Sequence, residues 1–176
     1  MIAVVGGGVV GQLVLEVLTR SFYGKIVMVE PKANRRALAE TTGAVSFDPG
    51  DPGLHEWIRL NTGGRGADRV IEISGNPIGM QLAIDLLSYS GLLVEASWFG
   101  KKTVNLDLAA YHRKRIEIRG SQVSTVRPEL QGRWTNKRRI DVVLKLLEDI
   151  KPAKYIVTDI RSITRTARLR SSIPGI

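Results

Sequence analysis

Short apolar runs alternate along the chain with stretches in which apolar residues recur every three or four positions. The first run is Ile2-Ala3-Val4-Val5, ending in three glycines, and it reads as a short buried strand. Residues 9 to 20 follow with helical spacing, Val10, Leu13, Val14, Val17 and Leu18 being apolar. Ile26-Val27-Met28-Val29 is a second strand, stopped at Pro31. Residues 33 to 42 read as a helix carrying Ala37, Leu38 and Ala39, with Gly43 as its cap. Val45-Ser46-Phe47 is a third strand. Asp51 followed by Pro52 predicts a helix start, and Leu54, Trp57, Ile58 and Leu60 are its apolar residues. Val70 to Ile73 is the fourth strand, and residues 78 to 88 form a helix with Met80, Leu82, Ala83, Leu86 and Leu87 inward. Gly91 to Ala96 is the fifth strand, Leu106 to Arg113 a short helix, and Ile116 to Gly120 a sixth strand with Ile116 and Ile118 alternating. Residues 137 to 149 are amphipathic through Ile140, Val143, Leu144, Leu146 and Leu147.

Strands alternating with helices of this size predict an α/β fold, a six-stranded doubly wound parallel sheet of the Rossmann type. The 176 residues suit one domain with a full core. Residues 1–150 carry the nucleotide-binding pattern, and residues 151–176 form a divergent, arginine-rich C-terminal segment. Right-handed crossovers bring the carboxyl ends of the strands to one edge, where loops 6–11, 30–36, 48–50, 74–77, 97–100 and 121–125 meet. A ligand is expected there, at the switch point between the first and fourth strands.

Composition narrows the chemistry. Hydrophobic residues make up 43% of the chain, which fits a packed globule. No apolar run approaches the length of a membrane span, and the N-terminus enters a strand without a secretion signal, so a cytoplasmic protein without membrane contact is expected. There is no cysteine, which excludes disulfides, thiolate zinc sites and a cysteine nucleophile within the chain. The two histidines, His55 and His112, lack metal-ligand spacing, so no zinc is expected in this chain. The net charge of +9 is gathered at Arg113-Lys114-Arg115, at Lys137-Arg138-Arg139 and at Arg161, Arg165, Arg168 and Arg170. None of these clusters is interleaved with aromatics as single-strand nucleic-acid binders require. They read as solvated faces, and the positive balance also suits an anionic dinucleotide.

The glycines after the first strand carry the most specific signal. Gly6, Gly8 and Gly11 have the spacing G-x-G-x-x-G. Gly6 permits the tight turn, Gly8 lets a pyrophosphate approach the backbone, and Gly11 lets the helix pack on the strand; the helix then aims its free N–H groups and positive dipole end at the phosphates. Glu30 ends the second strand nineteen residues beyond Gly11, where a carboxylate accepts from the adenosine ribose hydroxyls. That carboxylate favours NAD over NADP, although Lys32, Arg35 and Arg36 stand close by.

These residues lead to a resemblance. The runs Val4 to Gly11, Val29-Glu30-Pro31, Leu38 to Ala44, Gly66 to Glu72, Ser74-Gly75, Gly91 to Val94 and Ile118 to Ser121 occur in unbroken order. Together they resemble the cofactor domain of medium-chain, zinc-type alcohol dehydrogenases, especially the polyol and threonine dehydrogenase branch. The resemblance implies a role in hydride transfer between an alcohol and NAD, beside a separate catalytic domain or subunit that carries the zinc ligands. It places Gly6, Gly8 and Gly11 at the pyrophosphate, with backbone around Val9 and Val10, and Glu30 and Arg35 at the adenosine ribose. Ile73, Ser74 and Gly75 would flank the adenosine side. Ala96 and Trp98 would meet the nicotinamide carboxamide through backbone groups, with Gln122 and Val123 near the same end. It also implies a two-fold homodimer through the edge of the sixth strand. The expectation is a chain that begins where the catalytic domain of the family has already ended.

Other chemistries fit poorly. Tyr111 and Lys114 stand one residue too close for a short-chain dehydrogenase pair, and neither Gly-x-Ser-x-Gly nor a Gly-Lys-Ser/Thr phosphate loop occurs. Three classes remain: the cofactor half of an oxidoreductase, a non-catalytic NAD(H)-binding regulatory or redox-sensing module, and a basic nucleic-acid-binding domain. Glu30 favours the first two. The substrate is not legible in the sequence.

Overall fold

Apolar residues on both faces of a strand leave it only one place, the middle of a covered sheet, and the first two strands take it. The computed structural model describes residues 1–156. Strands β1 (Ile2–Val5) and β2 (Ile26–Val29) are buried along their whole length. They pair in parallel, Val5 opposite Val29, as a sheet with both faces covered requires. β3 (Val45–Phe47) flanks β2, and β4 (Ala67–Glu72), β5 (Leu87–Glu95) and β6 (Glu117–Gly120) extend the other side. All pairings are parallel and the order is β3-β2-β1-β4-β5-β6, so the direction of winding reverses between β1 and β4. This is the doubly wound α/β sheet the alternation predicts.

Alternate strand residues feed two cores. Ala3, Val5, Val27, Val29, Val70 and Leu93 pack against α3 (Gly53–Asn61) and α4 (Pro77–Leu86) through Leu54, Ile58, Ala83 and Ile84. Val4, Ile26 and Met28 point the other way, to Leu15 of α1 (Val9–Ser21) and Ala39 of α2 (Ala33–Glu40). α5 (Leu108–Lys114) precedes β6, capped by Asp107, whose carboxylate accepts from Ala109 N at 2.9 Å. α6 (Asn136–Ile150) is capped by the Thr135 hydroxyl, which accepts from Arg138 N at 3.1 Å.

Several boundaries differ from the sequence reading. Leu87 is not the last inward residue of α4 but the first of β5, because its backbone is already extended (φ −71°, ψ 147°); helix passes to strand with no loop between them. β4 begins at Ala67 rather than Val70. Asp51 accepts from Gly53 N at 2.8 Å, so α3 starts just after Pro52. Leu60 is exposed.

The faces of two helices also differ. The residues of α1 that sink into the fold are Gly11, Gln12, Leu15 and Glu16, while Val10 is 58% exposed. The apolar stripe Val10, Leu13, Val14 and Val17 instead borders a groove of about 390 Å³ whose opposite wall is α6, with Ile71 also lining it. Ile140, Val143 and Leu144 of α6 stay largely exposed, and only Ile150 is buried. Periodicity identifies these stripes as apolar, but not that two helices share one groove.

The chain after α6 returns to α1. Pro152–Tyr155 forms a single 3-10 turn, and Tyr155 is buried with its hydroxyl donating to Glu16. Lys154 Nζ reaches the same carboxylate at 2.5 Å, and Arg20 binds its other oxygen. The arginine-rich run from Arg161 to Arg170 lies outside the described residues.

Candidate functional site

The turn from β1 into α1 is built on two close approaches. Gly6 has φ +107°, and a Cβ on it would lie 2.7 Å from Ser74 N at the end of β4. A Cβ on Gly11 would lie 2.0 Å from Gly6 O, so only glycine lets the helix start this near the strand. Gly8, the residue that caps α1, offers no side chain to its free N–H groups, and a Cβ there would meet nothing within 4 Å. The N-terminus of a thirteen-residue helix therefore opens on unfilled space, which suits a phosphate group.

Glu30 closes one side. It is buried, Oε2 accepting from Gly7 N at 2.7 Å and Oε1 from Lys32 N at 3.0 Å. Arg35 stands 3.7 Å from Oε1. Arg36 donates instead to Glu30 O at 2.8 Å, Pro31 O at 2.7 Å and Asp48 Oδ2 at 3.0 Å. A carboxylate has about four acceptor positions, so the two backbone bonds leave Glu30 capacity for a ligand hydroxyl. The side-chain amide of Gln12 ties the same region together, Nε2 donating to Gly7 O at 3.2 Å and Arg35 O at 2.9 Å. Its Oε1 is buried without a partner among the described residues.

Two cavities flank this turn. One of about 370 Å³ is lined by Gly6, Glu30, Arg35, Ser74, Ile78 and neighbouring residues. The other, of about 560 Å³, is lined by Val10, Ile73, Ala96, Gln122 and Val123 at one side and by the 125–139 segment at the other. The structure thus brings Gly6, Glu30, Arg35 and Ser74 together on one side of the glycine turn, and Val10, Ile73, Ala96 and Gln122 together on the other. Val9 and Gly8 begin α1 between them. Gly75, at φ +62°, and Trp98, 87% exposed, line neither cavity; Lys102 Nζ donates to Gly75 O at 2.9 Å beside them.

A carboxylate cluster that pattern reading missed shapes the edge between β4 and β5. Glu72 is fully buried and accepts from Ser74 N at 2.8 Å and from the hydroxyls of Ser74 and Ser97. Glu95, opposite Glu72 in the register, accepts from Ser97 N at 2.8 Å. These bonds fix the backbone at Ser74 and Ser97, and so hold Ile73, Ser74 and Ala96, which line the cavities. The available signal is a charged residue inside the apolar run Val70-Ile71-Glu72-Ile73, where Glu30 instead follows its run.

The donor set does not fit a zinc site. The sequence has no cysteine, and among the described residues no group of three or more His, Asp or Glu is placed to hold a metal. No described helix is long and apolar enough to cross a membrane.

Residues 9–143 match a family model described as zinc-binding dehydrogenase, in the region that forms the NAD-binding half of such enzymes. Among curated proteins, the 2-dehydro-3-deoxy-L-galactonate 5-dehydrogenase of Pseudoalteromonas atlantica is 31% identical over 120 residues, covering 68% of this chain and 35% of that protein. The D-guloside 3-dehydrogenase of Escherichia coli is 29% identical over 150 residues, covering 83% and 42%. The crystal structure of 2R,3R-butanediol dehydrogenase from Bacillus subtilis superposes with a TM-score of 0.67 at 25% identity, over 82% of this chain and 39% of that one. The chain spans well under half the length of these relatives.

Proposed function

The chain belongs to the zinc-binding dehydrogenase family, and from that premise we propose that it is the NAD(H)-binding half of an oxidoreductase acting on the hydroxyl group of a small polyol-like substrate. The observation that carries this reading is the α1 N-terminus, uncapped beneath Gly8 and open to solvent, with a cavity on either side. The bound nicotinamide would supply the hydride acceptor or donor. The chain's own residues hold it in place. The N–H groups at Val9 and Val10 would hold the pyrophosphate, Glu30 would accept from the adenosine ribose, and Ile78 and Pro49 would border the adenine side. Val10, Ala96 and Gln122 border the nicotinamide end. Polarisation of the alcohol oxygen is not assigned to any residue of this chain, because its donor set fits no zinc.

Glu30 further supports a preference for NAD(H) over NADP(H), since its buried charge opposes a 2′-phosphate. Among the described residues β6 ends the sheet with a free edge, and we take that edge as the interface of a homodimer. A second reading on the same open α1 N-terminus is a module that binds NAD(H) without turning it over.

Titration of the full chain with NADH by calorimetry tests the proposal. Saturable one-to-one binding is expected, and its absence overturns the reading. Alcohol-dependent reduction of NAD by the same preparation would discard the second reading.

A further inference from the structure

The larger cavity is charged unlike the smaller one. Around Glu30 both arginines are matched: Arg36 is committed to Asp48 and two carbonyls, and Arg35 stands by Glu30, with Lys32 lining the same cavity beside that acid. One wall of the larger cavity comes from residues 121–139, and its charged lining residues are Arg127 and Arg139; nearby, Arg119 and Lys137 are paired with Glu117 and Asp141. Arg139 lines the cavity but is a strut, its guanidinium donating to Val123 O at 2.7 Å and Thr125 O at 3.0 Å. Arg138 lies over the Trp134 ring at 4.7 Å. Arg127 is different. It lines the cavity, is 41% exposed, and among the described residues its one side-chain bond is a long 3.4 Å contact to Glu129 Oε1. Most of its five donors remain available. The Glu129 carboxyl is held below its ordinary value first by its own backbone N–H and then by the charges of Arg127 and Arg119.

Val14, Val126 and Leu130 beside Trp134 give the cavity an apolar patch, and Ser121, Gln122 and Thr125 add polar groups to its lining. An arginine at the rim of such a surface recognises an oxyanion whose carbon skeleton lies on the apolar part. We infer that the cavity between Val10 and Arg127 takes a small hydroxylated compound bearing a terminal carboxylate or phosphate, and that Arg127 binds that oxyanion. The inference rests on the proposed dinucleotide site only for the placement of the nicotinamide end; the charge and the cavity stand without it.

Calorimetry on the full chain with D-gluconate, D-sorbitol 6-phosphate and neutral D-sorbitol, each with and without saturating NADH, tests it. At least one anion should bind about tenfold more tightly than sorbitol, the scale of one charge-assisted arginine contact. Which anion wins separates carboxylate from phosphate. Arg127→Gln should remove that advantage while NADH affinity and the melting temperature hold. Glu129→Gln, which frees Arg127 from its competitor, should tighten the anion. Anions no tighter than sorbitol, an advantage that survives Arg127→Gln, a weaker anion in Glu129→Gln, or an Arg127→Gln effect on NADH equal to that on the anion would each overturn the inference. Failure of NADH to bind, with anion selectivity intact, would instead strike the proposed function alone.

Discussion

Gly7 N donates to Glu30 Oε2 across 2.7 Å, joining the turn after the first strand to the end of the second. One carboxylate thus holds the glycine turn in shape and presents itself to the smaller of the two flanking cavities. Glu30→Gln keeps the size but puts a donor where Gly7 N or Lys32 N needs an acceptor. It should lower stability by about 1.5–3 kcal/mol, the range for a hydrogen bond to a charged group. It should also shrink the preference for NADH over NADPH. Denaturant melts and paired calorimetric titrations check both; an unchanged cofactor ratio would remove Glu30 from the discrimination.

Gly8 and Gly11 make a contrasting pair. The space above Gly8 is open, so Gly8→Val should fold with an unchanged melting temperature yet lose NADH binding. A Cβ on Gly11 would strike Gly6 O, so Gly11→Ala should cost more than about 3 kcal/mol whether or not cofactor is present. Thermal melts followed by circular dichroism, beside NADH titration, separate the two. Wild-type NADH affinity in Gly8→Val would show the fingerprint misread.

Acid stability should track Glu16. Burial alone raises its carboxyl, but hydrogen bonds from Arg20 and Lys154 and their charges outweigh burial and hold it below the ordinary 4.5. A group depressed in the folded state stabilises the fold above its unfolded value and loses that contribution as pH falls through the folded one. Stability should therefore decline below about pH 4.5, and Glu16→Gln should flatten that part of the curve while lowering stability at pH 7. Identical pH profiles for the two proteins would exclude the linkage.

The free edge of β6 gives the assembly prediction. Ile118 is partly exposed, beside the Glu117–Arg119 ion pair. Light scattering should report a dimer for the wild type and a monomer for Ile118→Pro, because proline removes a ladder donor. A monomeric wild type, or a folded Ile118→Pro dimer, rules out pairing at this edge.

The parts of the fold written in short-range pattern were legible. Ile2 to Gly11 announces strand, turn and helix in ten residues, and the apolar run ending in Glu30 fixes the companion strand. What escaped depends on distant partners. Gln12 and Glu16 are polar residues on the buried side of α1, and no periodicity of apolar positions points to them. Their burial becomes intelligible only with Arg35 O above one and Tyr155 beside the other. The passage from Leu86 to Leu87 lacks any turn residue, so its boundary is set by pairing with β4 rather than by local chemistry. Residues 121–135 have neither period, and the cavity they wall exists only once Arg139 has pinned them to α6.

The contact of Lys154 and Tyr155 with Glu16 spans nearly the whole described chain. Such closure comes late in folding, because local pairs form first and a long loop must be drawn in before its contact rewards it. During synthesis the sheet can assemble strand by strand while Glu16 stays hydrated at the surface of α1. Only when the residues beyond α6 leave the ribosome is that carboxylate sealed, so the last turn of the described chain reports, through its first helix, that everything between them is in place.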